Sequence, residues 1–285
     1  MFIDIGPSVA SSANAFVEWL IVNYGDGFEA VANAILVVLV AIEGALRAAP
    51  PWMILIAIAV AAYAASRKPI FTALLVVLAW LIGCLGLWEQ AMQTTAIVLV
   101  SVAIAIVIGI PLGVLMARSN RARAAVLPLL DFMQTIPSFV YLIPAAMLFG
   151  LGKVPAVLAT VVYATPPLIR LTDLGLRQVE HEVIEASRSF GATHRQMLYG
   201  VELPLALPSI MQGINQTTMT ALAMVVIASM IGARGLGETV LLGLQRNDPG
   251  TGLIGGIAIV ILAVVLDRVT QAFGRRLQAP RQGGA

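Results

Sequence analysis

The residues of this 285-residue chain that could do chemistry are few, and most lie in one stretch. Glu185 to Pro204, EASRSFGATHRQMLYGVELP, gathers Glu185, Arg188, Arg195 and Glu202 between apolar flanks, with Glu180 and Glu182 just before it. Glu185 and Arg188 stand three apart and can pair on a helix surface. Ile184, Phe190, Met197 and Leu198 would give that helix an apolar face for a partner's groove. Gly191 stands where one short helix would end and another begin, because glycine accepts left-handed dihedrals. Pro204 and Pro208 would stop the second helix. This is the chemistry of docking, not of bond making. A solvated loop without a partner is the plain alternative, although a turn needs only a few residues.

Other candidates are sparse. His181 and His194 are the only histidines, and Cys84 is the only cysteine, in an apolar run that suggests a small core residue. No metal site is expected from them. An ATP site of the form GxxxxGK[ST] needs a lysine in a glycine frame; Lys68 and Lys153 have neither the glycine spacing nor a following Ser or Thr. No nucleophile–base set or carboxylate pair suggests an enzyme, so no catalytic residue and no cofactor is assigned to this chain. No nucleic-acid partner is expected, and the net charge of +2 says little by itself. The run Asn215-Gln216-Thr217 inside an apolar stretch needs polar neighbours or water. Asp131 and Asp173 fall near helix ends, and Asp267-Arg268 suits a membrane boundary.

The elements that must position these residues are set by composition. The chain is 59% hydrophobic and 11% charged, with a mean hydropathy of +0.93. A soluble domain carries about 25% charged residues. Apolar runs here continue for about 20 residues, whereas barrel strands alternate over about 10. In lipid every backbone amide must be satisfied within its segment, so such runs become helices. The expectation is an all-α integral membrane protein. MFIDIGPS lacks the basic n-region of a cleavable signal peptide.

Seven spans are expected, over about 52–65, 70–88, 92–117, 125–151, 154–171, 209–232 and 253–273. Residues 28–47, with Glu43 and Arg47 spaced to pair, read as an amphipathic helix on or dipping into the membrane; a true span is the rival. Trp19 and Tyr24 suit an interface. A Gly-rich loop carries Arg234, Glu238, Arg246 and Asp248, and the tail holds Arg275, Arg276 and Arg281. With the N-terminus outside, only Arg47, Lys153, Arg234 and Arg246 of the 17 Lys and Arg lie outside, a positive-inside pattern that puts the Glu185 island and the C-terminus in the cytoplasm. The chain divides into an interfacial segment 1–50, accessory helices 51–90, a core 91–275 with the polar loop 173–208, and a tail 276–285.

Glu185-Ala186-Ser187, then Gly191, then Leu203-Pro204, resembles the EAA loop of ABC-transporter permeases, with Ser187 where a second Ala is usual. Pro128–Val157, Thr165–Val179 and Glu202–Leu241 are similar to the membrane subunit of importers for glycine betaine, choline, carnitine and proline betaine. The resemblance covers about residues 90 to 275. It implies a type-I, MetI-like fold and a coupling loop through Glu185, Ala186, Ser187, Gly191, Leu203 and Pro204. It also implies two copies of a separate ATPase that binds ATP and Mg, an extracytoplasmic substrate-binding protein, a homodimer, and a bacterial inner membrane.

A quaternary ammonium offers no hydrogen bond at nitrogen and is held by aromatic faces. Gln134 and Tyr141, with Phe132 and Phe139, and Asn215 and Gln216 are the candidates to line a passage. Interhelical hydrogen bonding is the alternative for each. Gly109-x-x-x-Gly113 and Gly252-x-x-x-Gly256 fit close helix approach between copies or within one. Import of histidine- or proline-type amino acids by the same permease type stays open, as does a secondary transporter or channel, which would need charged groups or a filter within the membrane.

Overall fold

In the computed structural model the described residues are 5–278, with side chains described as far as residue 274. The basic side chains expected in the tail therefore lie outside the description, as does Asp4.

The described chain is helical, and some of its breaks precede prolines, at Pro50-Pro51, Pro69 and Pro137, while Pro111, Pro128, Pro166, Pro167 and Pro208 lie inside helices. α1 is one helix from Gly6 to Ala48. It does not divide near residue 28, and it contains a stretch long and apolar enough to cross a membrane. Ala49 and Pro50 are extended, which ends it. α2 (Pro51–Ser66) and α3 (Pro69–Cys84) form a hairpin through Arg67 in the left-handed region and an extended Lys68 ahead of Pro69. Each has 16 residues, which is about 24 Å of helix against a hydrocarbon core of about 30 Å. Cys84, expected in the core, is exposed at the end of α3.

α4 (Trp88–Arg118) and α7 (Lys153–Arg177) run parallel, and α10 (Leu203–Ile227) returns antiparallel to α7. Between α4 and α7 lie α5 (Asn120–Thr135) and α6 (Leu142–Phe149). The sequence suggested one span here. Instead the two axes differ by 107°. Ile136 is extended because Pro137 follows it, and a 3-10 turn, Ser138–Tyr141, leads into α6.

The polar island holds α8 (His181–Ser189) and the single turn α9 (His194–Met197). α11 (Leu236–Gln245) is a helix where a glycine-rich loop was expected. Its ten residues pack as a hairpin on α12 (Pro249–Gln278), where Gly243 lies on the backbone of Gly252. Among the described residues five helices are long and apolar enough to span, or six if α5 and α6 are one bent span.

The core is mostly apolar, with a few buried polar groups such as Gln93, Thr94 and Thr160. Leu39, Leu75, Ile97, Val157, Met224 and Leu236 are fully buried and come from six different helices. Close approach depends on small residues. A Cβ on Gly113 would stand 2.5 Å from the Cβ of Thr172, and one on Gly175 would stand 2.6 Å from that of Ser209. Gly109 and Gly113 are thus used within the chain, between α4 and α7; Gly256 has open space instead.

Candidate functional site

The island is built by its caps. α8 ends at Ser189, and Gly191 follows at φ +80°. Gly191 N–H donates to Arg188 O at 2.9 Å and Ala192 N–H donates to Ser187 O at 3.1 Å. This pair of bonds is the Schellman arrangement, in which the left-handed position favours glycine. Thr193 then starts α9 with a capping box, its hydroxyl accepting from Gln196 N–H while Gln196 Oε1 accepts from Thr193 N–H at 2.9 Å. Two helices therefore meet at a defined angle across four residues.

From α9 the helix does not stop at Pro204. It passes through a π turn, Leu198–Glu202, in which Leu203 N–H reaches back to Leu198 O, and continues into α10. Pro204 falls in the first turn of α10, where its fixed φ suits a helix, and the wider π turn takes up the altered bonding ahead of it.

Glu185 pairs with His181, Nδ1 to Oε1 at 3.2 Å, and not with Arg188 as the spacing suggested. Four residues apart is the better reach on this short helix. Glu185, Ala186 and Gly191 are exposed, while Ser187 is half-buried and donates to Val183 O. Leu203 and Pro204 are half-buried where the island meets the bundle. The expected apolar docking face is divided. Met197 is buried and Leu198 packs against the buried cluster of Leu168, Leu176, Ala206 and Ile210. The apolar groups presented outward are Phe190, 92% exposed, and Tyr199, 68% exposed.

Ion pairs that sequence spacing could not show join the helix ends beside the island. The buried Asp173 accepts from Arg123 Nε at 2.9 Å and from Arg177 Nε at 2.8 Å. Arg170 donates to Asp131 at 2.5 Å. Arg118 donates to Glu202 at 2.8 Å. At the other end of the bundle, the buried Glu43 holds Lys153 at 2.6 and 2.7 Å and Arg47 at 3.5 Å, and Arg47 also reaches Glu89. The Glu43–Arg47 pair was legible from spacing. Its partners on α7 and α4 were not, being 110 and 42 residues away.

The passage candidates fall into two groups. Gln134 is exposed in the last turn of α5, beside the elbow. Tyr141, across that elbow, donates to Met133 O and lies 5.8 Å from the ring of Tyr163. Asn215 and Gln216 lie elsewhere, in a groove of about 620 Å³ between α10 and α12. Ser209, Gln212 and Gln216 form a stripe on α10, and Thr270 and Gln271 face it from α12. Asn215 Nδ2 donates to Asp267 Oδ1 at 3.0 Å, and Gln271 donates to the same oxygen at 2.7 Å. Asp267 is thus bound into the helix pair, 3.8 Å from Arg268.

Helices of spanning length, close-packed through glycine, with an ordered polar island at one end, are the build of a multi-pass membrane protein. The chain belongs to the binding-protein-dependent transport system inner membrane component family, whose profile matches residues 109–279. It is 50% identical over 259 residues to the glycine betaine/proline betaine transport system permease protein ProW of Escherichia coli, covering 91% of this chain and 73% of that one. It is 46% identical to the glycine betaine/carnitine transport permease protein GbuB of Listeria monocytogenes, covering 88% and 90%. Among solved structures it resembles the MetNI methionine ABC transporter in inward-facing form, with a TM-score of 0.59 and 26% identity over 68% of this chain and 95% of that one.

Proposed function

We propose that this chain is the permease subunit of an ATP-driven importer for quaternary-ammonium compatible solutes such as glycine betaine, proline betaine, carnitine and choline. Residues 91–275 are its transport core. It works as a homodimer in a bacterial inner membrane, with the island and C-terminus in the cytoplasm and the N-terminus outside. Two copies of a separate ATPase bind ATP and Mg, and an extracytoplasmic binding protein delivers the solute. Glu185, Ala186, Ser187, Gly191, Leu203 and Pro204 form the loop on which the ATPases act, and Gln134, Tyr141, Asn215 and Gln216 line the passage.

The observation that carries this reading is the exposed, doubly capped island, which presents Glu185, Ala186, Phe190 and Tyr199 on an otherwise apolar molecule. An exposed Phe that no core residue covers suits a partner's groove. The names of the relatives supply the solute class. Two states, open inward and open outward, would be exchanged by ATP-driven closure of the ATPases against this surface.

The test is uptake of labelled glycine betaine into vesicles holding the chain, its ATPase and its binding protein, with choline and histidine as competitors. ATP-dependent uptake blocked by choline supports the reading. Uptake blocked by histidine alone moves the chain to amino-acid import, and no ATP-dependent uptake refutes the solute class.

A further inference from the structure

Both ends of the island are tied to the same turn of α4. On the incoming side, the guanidinium of Arg177 donates to Asp173 Oδ1 and, through a second nitrogen, to the carbonyl oxygen of Met116, each at 2.8 Å. On the outgoing side, Glu202, the last residue of the π turn, accepts from Arg118 at 2.8 Å. Met116 and Arg118 are neighbours on the final turn of α4. Met116 is fully buried, whereas the Arg118–Glu202 pair reaches the surface, with 36% and 14% of the two side chains exposed.

Regular α-helical bonding is interrupted on both sides of the island. Gln178 to Glu180 leave the helix between α7 and α8, and the π turn interrupts α-helical bonding ahead of α10. α4 has no such freedom against α7, because Gly113 rests on Thr172 with no room for a methyl group. Some 20 residues along α4 toward the other end of the bundle, Thr94 Oγ1 accepts the N–H of Leu236 at 2.9 Å, at the first residue of α11. One continuous helix, with Pro111 inside it, therefore meets the island at one end and the α11–α12 hairpin at the other.

We propose that α4 carries the island's displacement to the far end of the bundle, and that Arg118 and Glu202 are the positioning pair that makes it follow. This rests on the island being the surface on which the ATPases act. A charge-assisted pair across 84 residues holds the π turn to α4 only while both charges are present. With one reversed, the island moves and α4 lags.

The experiment uses the assembled complex in vesicles with Arg118→Glu, Glu202→Arg and the double swap. Each single variant is expected to raise the ATP hydrolysed per solute imported by about tenfold, a typical coupling between sites, and the swap to restore it. A milder Glu202→Gln guards against failed assembly and should fall between. Spin labels at Val77 on α3 and Leu99 on α4, both exposed, with Cys84 replaced by Ser, give a readout that needs no solute. ATP with vanadate should change their separation in the unaltered chain and in the swap, but not in Arg118→Glu. Single variants that keep the normal ratio and the normal change in separation overturn the proposal, as does a swap that fails to recover. If the unaltered complex imports no betaine, the solute assignment falls, and the label separations alone decide the role of α4.

Discussion

Lys153 donates to both carboxylate oxygens of Glu43, at 2.7 and 2.6 Å, joining the start of α7 to the last turns of α1. Glu43 has 7% of its side chain exposed and Lys153 has 24%. Breaking such a pair on one side leaves a desolvated charge, at a cost of about 3–5 kcal/mol. Glu43→Ala should lower the unfolding temperature clearly in detergent, and Glu43→Leu with Lys153→Met should lower it less than Glu43→Ala alone. A double variant as unstable as the single would show that the cost lies in packing.

Gly113 and Gly256 should respond oppositely to alanine. The added methyl at Gly113 meets Thr172 and the Ile169 carbonyl, whereas at Gly256 it meets nothing. Overpacking costs about 1–3 kcal/mol, so Gly113→Ala should reduce the folded yield and Gly256→Ala should not. Thermal unfolding of both checks it, and a loss at Gly256 confined to the assembled complex would place a second chain there.

Gly191 holds the angle between α8 and α9 at φ +80°. A residue with a Cβ pays about 1–2 kcal/mol in that region. Gly191→Val should leave the spans folded yet separate ATP hydrolysis from import. Normal import per ATP in that variant would remove Gly191 from the coupling surface.

Asp248 precedes α12, and its carboxylate accepts from the Thr251 hydroxyl at 2.6 Å and from the N–H groups of Gly250 and Thr251. The Thr251 hydroxyl, then its N–H, hold the carboxyl below its ordinary value. A lowered folded value means that the cap is intact above the unfolded value and lost as pH falls through the folded one. Amide exchange at Thr251 should therefore quicken in acid below about pH 4, after correction for intrinsic rates. Asp248→Ala should show that faster exchange at neutral pH and lose the acid dependence.

Asn215 and Gln134 test whether either group of polar residues lines the passage. Asn215→Ala removes one of two donors to Asp267 Oδ1, while Gln134→Ala changes an exposed side chain at the α5–α6 elbow. Each should slow the uptake rate several-fold with little change in unfolding temperature. Unchanged uptake in both would take them out of the path.

What the sequence made legible follows from the range of the forces involved. Helical spans come from local apolar runs, and the cap at Gly191 comes from one residue's dihedral freedom. The breaks at Pro50, Pro69 and Pro137 follow from the residue ahead of each proline. The 107° elbow is a different matter, since Pro137 forbids a helix through Ile136 but does not choose the direction of α6. The ion pairs of Asp173, Glu202 and Lys153 join residues 50, 84 and 110 positions apart, and only the packed bundle defines them. The docking face was misjudged at Met197 and Leu198 because a helical pattern tells which residues share a face but not which face meets the protein's own core.

The stripe of Ser209, Gln212 and Gln216 along the groove between α10 and α12 also bears on what surrounds the protein. Acyl chains offer such polar groups no partner, so the stripe would be costly wherever the groove opened to hydrocarbon and costs little where it meets water or protein. The groove is therefore a place where the surroundings of the chain, and not its own fold, decide how much the stripe costs.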